Sequence, residues 1–105
     1  MREFVLVYTG GSMPETEEEG AKVMAAWGAW MGSLGDALVS GGNPFTPQAK
    51  TINNDGSVAE GAVGTPATGY SIVKADSLDS AVELAKGCPH WQHGGQISVY
   101  ETFQM

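Results

Sequence analysis

The residues best equipped for chemistry sit in one short stretch, Cys88-Pro89-His90-Trp91-Gln92-His93. His90 and His93 are the only histidines of the chain. Imidazole exchanges protons near neutral pH, so either ring could act as a general acid or base. The spacing Cys-x-His-x-x-His could also ligate a soft or borderline metal. A structural reading competes with both: Pro89 and Gly94 shape a helix-to-strand loop, and His90 could hydrogen-bond its backbone. Taken as chemistry, the stretch nominates His90 and His93 as catalytic proton carriers, with no metal and no cofactor. Cys88 reads as a small buried apolar residue rather than a nucleophile, because the C-terminal end of a helix does not favour a thiolate.

A ligand beside these histidines needs walls. Trp27, Trp30 and Trp91 could line an apolar pocket, although Trp27 and Trp30 fall on a helical stripe that equally suits a core. Tyr8, Tyr70 and Tyr100 fall on strands and could turn polar tips into a cleft. Asp36, just beyond the helix, could serve as a base. Tyr8, Trp30, Asp36 and Trp91 are the candidate ligand contacts. The paired glycines at 10–11, 41–42 and 94–95 show neither GxGxxG nor P-loop spacing ahead of a helix, so no phosphate cradle is expected.

The elements that must position these residues follow from pattern. Residues 4–9 are β-branched and aromatic and end at Gly10-Gly11-Ser12, which predicts a strand. Phe4, Leu6 and Tyr8 share one face, Val5 and Val7 the other, so both faces need cover. Thr16 and Glu19 have capping-box spacing. Val23, Trp27, Trp30, Met31 and Leu34 form the apolar face of a long helix ending at Gly35. Gly20, Gly28 and Gly32 weaken that helix, and the last two could admit another backbone. Residues 37–40 predict a short strand, followed by a turn at Gly41-Gly42-Asn43-Pro44. Segments 48–52 and 57–59 flank Asn53-Asn54-Asp55-Gly56, a hairpin signal. Residues 61–66 read as a mobile loop.

Residues 68–101 organise the rest. Tyr70, Ile72 and Val73 suggest a strand, and Ser77 supplies an N-cap, with Asp76 as the competing candidate. Leu78, Ala81, Val82 and Ala85 form one stripe of a short helix. Gly87 is placed to take a left-handed C′ conformation, and Pro89 blocks continuation. Residues 97–100 begin a last strand, and residues 102–105 either extend it or lie against a partner. The order β-α-β-β-β-α-β is an α+β pattern, consistent with a ferredoxin-like split β-α-β sheet with two helices on one face. The two helices cannot hide all the apolar strand residues, so a second copy of the chain is expected on the open sheet face.

The 105 residues make one domain, with 42% apolar residues. Five basic against twelve acidic side chains give a net charge of −7, which argues against nucleic acid and against an anionic membrane surface. The acidic run Glu15, Glu17, Glu18 and Glu19 reads as a solvated helix start that complements the dipole. One cysteine cannot form an internal disulfide. No stretch approaches the roughly 18 apolar residues of a membrane span, and the first residues read as a strand rather than a signal peptide. A cytoplasmic location is the expectation.

The order of the first strand, the Trp-bearing helix, the Leu-Val-Ser-Gly-Gly segment and the run from Lys74 to His90, followed by Gly94-Gly95 and a final strand, resembles the YCII-related family, which includes the DGPF-domain proteins. The likeness covers nearly the whole chain. It implies a dimeric α+β barrel, two ferredoxin-like sheets face to face, with clefts between sheet and helices. It also implies kinship with a dehydrochlorinase-like enzyme branch and with many proteins of unassigned function. That branch carries a histidine on the first helix and an aspartate after a Gly-Pro-Asn-Pro-like turn. Here Trp27 and Trp30 stand on the helix, and Phe45-Thr46-Pro47 follows Asn43-Pro44, so that His–Asp pair has no counterpart. Asp55-Gly56 continues as Ser57-Val58, not as DGPF. Two functions stay open: a homodimer that binds a small organic molecule without catalysis, and an enzyme of elimination or isomerisation using His90 or His93.

Overall fold

Alternation in the first strand decides how the molecule layers. In the computed structural model, which describes residues 1–11 and 14–103, Arg2–Gly10 forms strand β1. Phe4 and Leu6 are fully buried and Tyr8 nearly so, whereas Val5 and Val7 between them are half-buried. Period-two geometry sends the two sets to opposite faces. The chain continues through helix α1 (Glu17–Leu34), a 3-10 turn (Gly35–Ala37) and strands β2 (Leu38–Ser40), β3 (Lys50–Ile52), β4 (Val58–Glu60) and β5 (Ala67–Ala75). Helix α2 (Leu78–Ala85), a 3-10 turn (Trp91–His93) and β6 (Gly95–Glu101) complete it.

The main sheet has the order β2-β5-β1-β6, with antiparallel neighbours throughout. β5 and β6 therefore run parallel with β1 between them, the split crossover expected of a ferredoxin-like α+β fold. Register aligns the inward sets: Leu6 lies opposite Ser71 on one side and Val99 on the other, and Phe4 lies opposite Val73. Trp30 and Leu34 of α1 and Ala81 and Ala85 of α2 join Phe4, Leu6 and Val73 in a single core, so both helices cover the same face. On the far face the same register sets Val5 opposite Ile72 and Tyr100, and Val7 opposite Tyr70. Ile72 belongs with Val5 and Val7, while Val73 belongs with the inward set.

Local chemistry explains the helix ends. Thr16 Oγ1 accepts from Glu19 N–H at 3.1 Å and caps α1. The reciprocal bond is displaced by one residue, since Glu19 Oε2 accepts from Glu15 N–H rather than from the N-cap amide. Gly35 ends α1 at φ 53°, a conformation that favours glycine. Ser77 caps α2 through the Ser80 N–H at 3.1 Å. Gly87 does not take a left-handed conformation; α2 runs out through Lys86, and Cys88 N–H bonds Ala85 C=O at 3.0 Å. Leu78 is exposed, and the buried stripe of α2 is Ala81, Ala85 and Cys88, with Leu84 packed at its margin. Small side chains let this helix lie close on the sheet.

The hairpin β3–β4 forms as its turn signal predicts, with Gly56 at φ 89°. It makes a separate two-stranded sheet rather than extending the main one, and Ile52 and Val58 remain exposed. Gly28 and Gly32 have no atom within 4 Å of a built Cβ, so among the described residues they admit no close neighbour. The last strand ends at Glu101, and the backbone N–H and side-chain hydroxyl of Thr102 both donate to Glu3 C=O. Ser12, expected at the end of the first strand, and Gln104 and Met105, expected either to extend the last or to lie against a partner, lie outside the described residues. Among the described residues no helix is long and apolar enough to cross a membrane.

A candidate cavity between the first helix and the sheet

The i, i+4 spacing on α1 builds one wall of the site. Its apolar stripe splits in two: Trp30 and Leu34 turn into the core, while Val23, Trp27 and Met31 line a cavity of about 710 Å³. Tyr8 at the end of β1 forms the floor. Its ring meets Trp27 edge-on at a centroid distance of 5.2 Å and His90 at 5.2 Å. The glycine-rich turn after β2 supplies the rim, along with Asn43 and Pro44. Gly42 sits at φ 69°, and a Cβ there would overlap the Tyr70 carbonyl. Phe45 stacks on Tyr70 at 5.8 Å, and Phe45 N–H donates to Thr68 C=O, so the rim is tied to β5.

His90 enters the cavity from the loop between α2 and β6 and is held from several sides. Its Nε2 lies 2.9 Å from Thr9 C=O. A carbonyl can only accept, so Nε2 carries a proton, and in the neutral ring Nδ1 holds the lone pair. Glycines make room for the ring: a Cβ on Gly95 would overlap it, and one on Gly11 would lie 3.1 Å from Cε1. His93 also lines the cavity, at the end of the 3-10 turn, with an exposed side chain.

The Tyr8 hydroxyl is engaged. It donates to Ser71 Oγ at 2.7 Å, and Ser71 Oγ donates to Gly41 C=O at 2.9 Å. Burial pushes the phenol well above its ordinary range, against the opposing effect of the Ser71 hydrogen bond. Tyr8 thus offers a ligand its ring face rather than an acid. Burial likewise pushes the Cys88 thiol up to about 11, which makes it a poor nucleophile near neutral pH. Cys88 has no exposed surface, and among the described residues no group of three or more His, Cys, Asp or Glu side chains could hold a metal ion.

The sequence-derived candidates therefore divide. Tyr8, His90 and His93 converge on the cavity. Trp30 is a core residue whose Nε1–H donates to Leu84 C=O at 2.9 Å. Trp91 is half exposed, and its Nε1–H donates to Lys86 C=O, capping the end of α2. Asp36 is exposed in the 3-10 turn after α1. Trp30, Trp91 and Asp36 are not among the residues that line this cavity. Val23 and Met31, which the sequence places only on the apolar face of the helix, line the cavity as well. The signal that separates them from Trp30 and Leu34 is their i, i+4, i+8 alignment with Trp27.

A cleft between the first helix and a split β-α-β sheet is what the chain's family likeness implied, and the sequence profile of the YCII-related domain matches residues 4–105. The chain belongs to the YCII-related family. No curated protein matches it. Within this YCII-related chain Trp27 is the tryptophan of the first helix that walls the cavity, and the imidazole of the cavity comes from the loop after α2.

Proposed function

We propose that this YCII-related protein is a small homodimer that binds a small organic molecule in the cavity between α1 and the sheet. The observation that carries the reading is the cavity itself, roomy and walled by aromatic and methionine side chains around one fixed imidazole. Pockets of this size and lining suit small molecules. Binding without catalysis is the primary reading, because the His–Asp pair of the enzyme-like branch has no counterpart here. A second reading, proton transfer in an elimination or isomerisation, is favoured by the tautomer of His90: its Nδ1 lone pair is that of a general base. His93 is the other proton carrier within reach of the same space.

What supports the homodimer is the sheet's far face, where Val5, Val7 and Ile72 are half-buried and Tyr100 is exposed. A two-fold partner, sheet against sheet, would cover it and form the dimeric α+β barrel. A single cysteine supports a cytoplasmic setting. A thermal-shift screen of small organic molecules tests the binding reading, since a ligand that binds only the folded state must raise the melting temperature. The expected result is at least one compound that raises it in the wild type and not in Trp27→Ala. A blank screen overturns the reading.

A further inference from the structure

The cavity's lining constrains the charge of its occupant. None of the described residues that line it is an aspartate, glutamate, lysine or arginine. The chain as a whole carries −7, so an anion would meet an unfavourable field, with no lysine or arginine among the described lining residues to pair with. Moving an unpaired carboxylate or phosphate out of water is costly. The walls of Tyr8, Trp27 and Met31 instead offer flat, polarisable surface. One polar feature is directional: with Nε2–H committed to Thr9 C=O, the neutral His90 ring accepts at Nδ1. The ring lines the cavity, and Nδ1 is the nitrogen left over from the bond to Thr9.

We propose that the cavity selects uncharged, flat, largely apolar molecules bearing one N–H or O–H donor, which is received by Nδ1 of His90. The aromatic walls set shape, and the imidazole sets polarity and orientation. This deepens the small-molecule reading above and rests on it. Anionic ligands of the same shape are disfavoured because the described lining holds no lysine or arginine to compensate their charge and the chain is strongly negative.

The test is isothermal titration calorimetry on the intact wild-type protein with three matched probes. Indole carries the donor, 1-methylindole lacks it, and indole-3-carboxylate adds a negative charge. Indole should bind about five- to tenfold more tightly than 1-methylindole, the worth of one hydrogen bond, and indole-3-carboxylate should bind weakest. His90→Phe keeps a flat ring of similar size and carries no lone pair, and there the preference for indole should vanish. Should His90→Phe fail to fold, the three-probe ranking on wild type still decides. Carboxylate binding as tight as indole, or equal affinities for indole and 1-methylindole, would overturn the proposal. If none of the probes binds while the wider thermal-shift screen finds another ligand, the proposed class fails and the binding reading stands. A blank in both experiments removes both.

Discussion

At the scale of single residues, burial and close approach decide what each side chain can do. Cys88 stands beside the catalytic candidates in sequence, yet its thiol is raised from 9.0 to about 11, chiefly by burial. The unfolded thiol therefore loses its proton first as pH rises, so its contribution to stability is complete below the unfolded value and declines between about pH 9 and 11. Urea unfolding at pH 8 and pH 10 should show a fall in stability that is about 1 kcal/mol smaller in Cys88→Ala than in the wild type. An unchanged pH slope would mean that Cys88 titrates alike in both states. Gly95 makes a different point. Its backbone would tolerate a side chain, but a Cβ would overlap the His90 ring. Gly95→Ala should cost about 1–3 kcal/mol through overpacking and weaken ligand binding, with the His90 ring resonances shifted by NMR. The burial of Cys88 was legible in sequence, but the approach of Gly95 to His90 was not, since Gly95 is one of many glycines there.

At the scale of elements, the helices and strands were largely readable because their periodicities and caps are local. Thr16, Ser77 and Gly35 perform the capping and stopping that their types suggest. The misreadings concern faces. A stripe on α1 read as one apolar face serves two surfaces, since core and cavity lie side by side along the helix. The stripe of α2 is turned toward Ala81, Ala85 and Cys88 because a close-lying helix favours small residues over Leu78. Gly28 and Gly32 meet open space and lie in helix interior. Gly28→Ala should therefore raise stability by about 0.5–1 kcal/mol, seen as a higher melting temperature. A lower one would reveal a second chain packed against that surface.

At the scale of the whole molecule, one sheet carries two apolar faces and its two helices cover only one. Sedimentation equilibrium should give about twice the 11.0 kDa chain mass at micromolar concentration. Val7→Asp places a charge on the far face of a central strand, away from the core and the cavity. It should return the protein to 11.0 kDa with its helix content intact by circular dichroism. A wild type that sediments as a monomer removes the barrel reading and leaves the cavity, which is built within one chain, unaffected.

The sequence by itself determined the kinds of elements, their order and their caps, because period-two and period-3.6 patterns and N-cap chemistry act between near neighbours. It also marked His90 as chemically able. Only the tertiary structure decided that His90 shares a cavity with Tyr8 and Trp27, and that Trp30, Trp91 and Asp36 lie elsewhere. Strand register and helix rotation set those distances, and both depend on contacts between residues far apart in the chain. The proton on Nε2 was fixed in the same way, by the carbonyl of a residue on β1 that no local spacing connects to it.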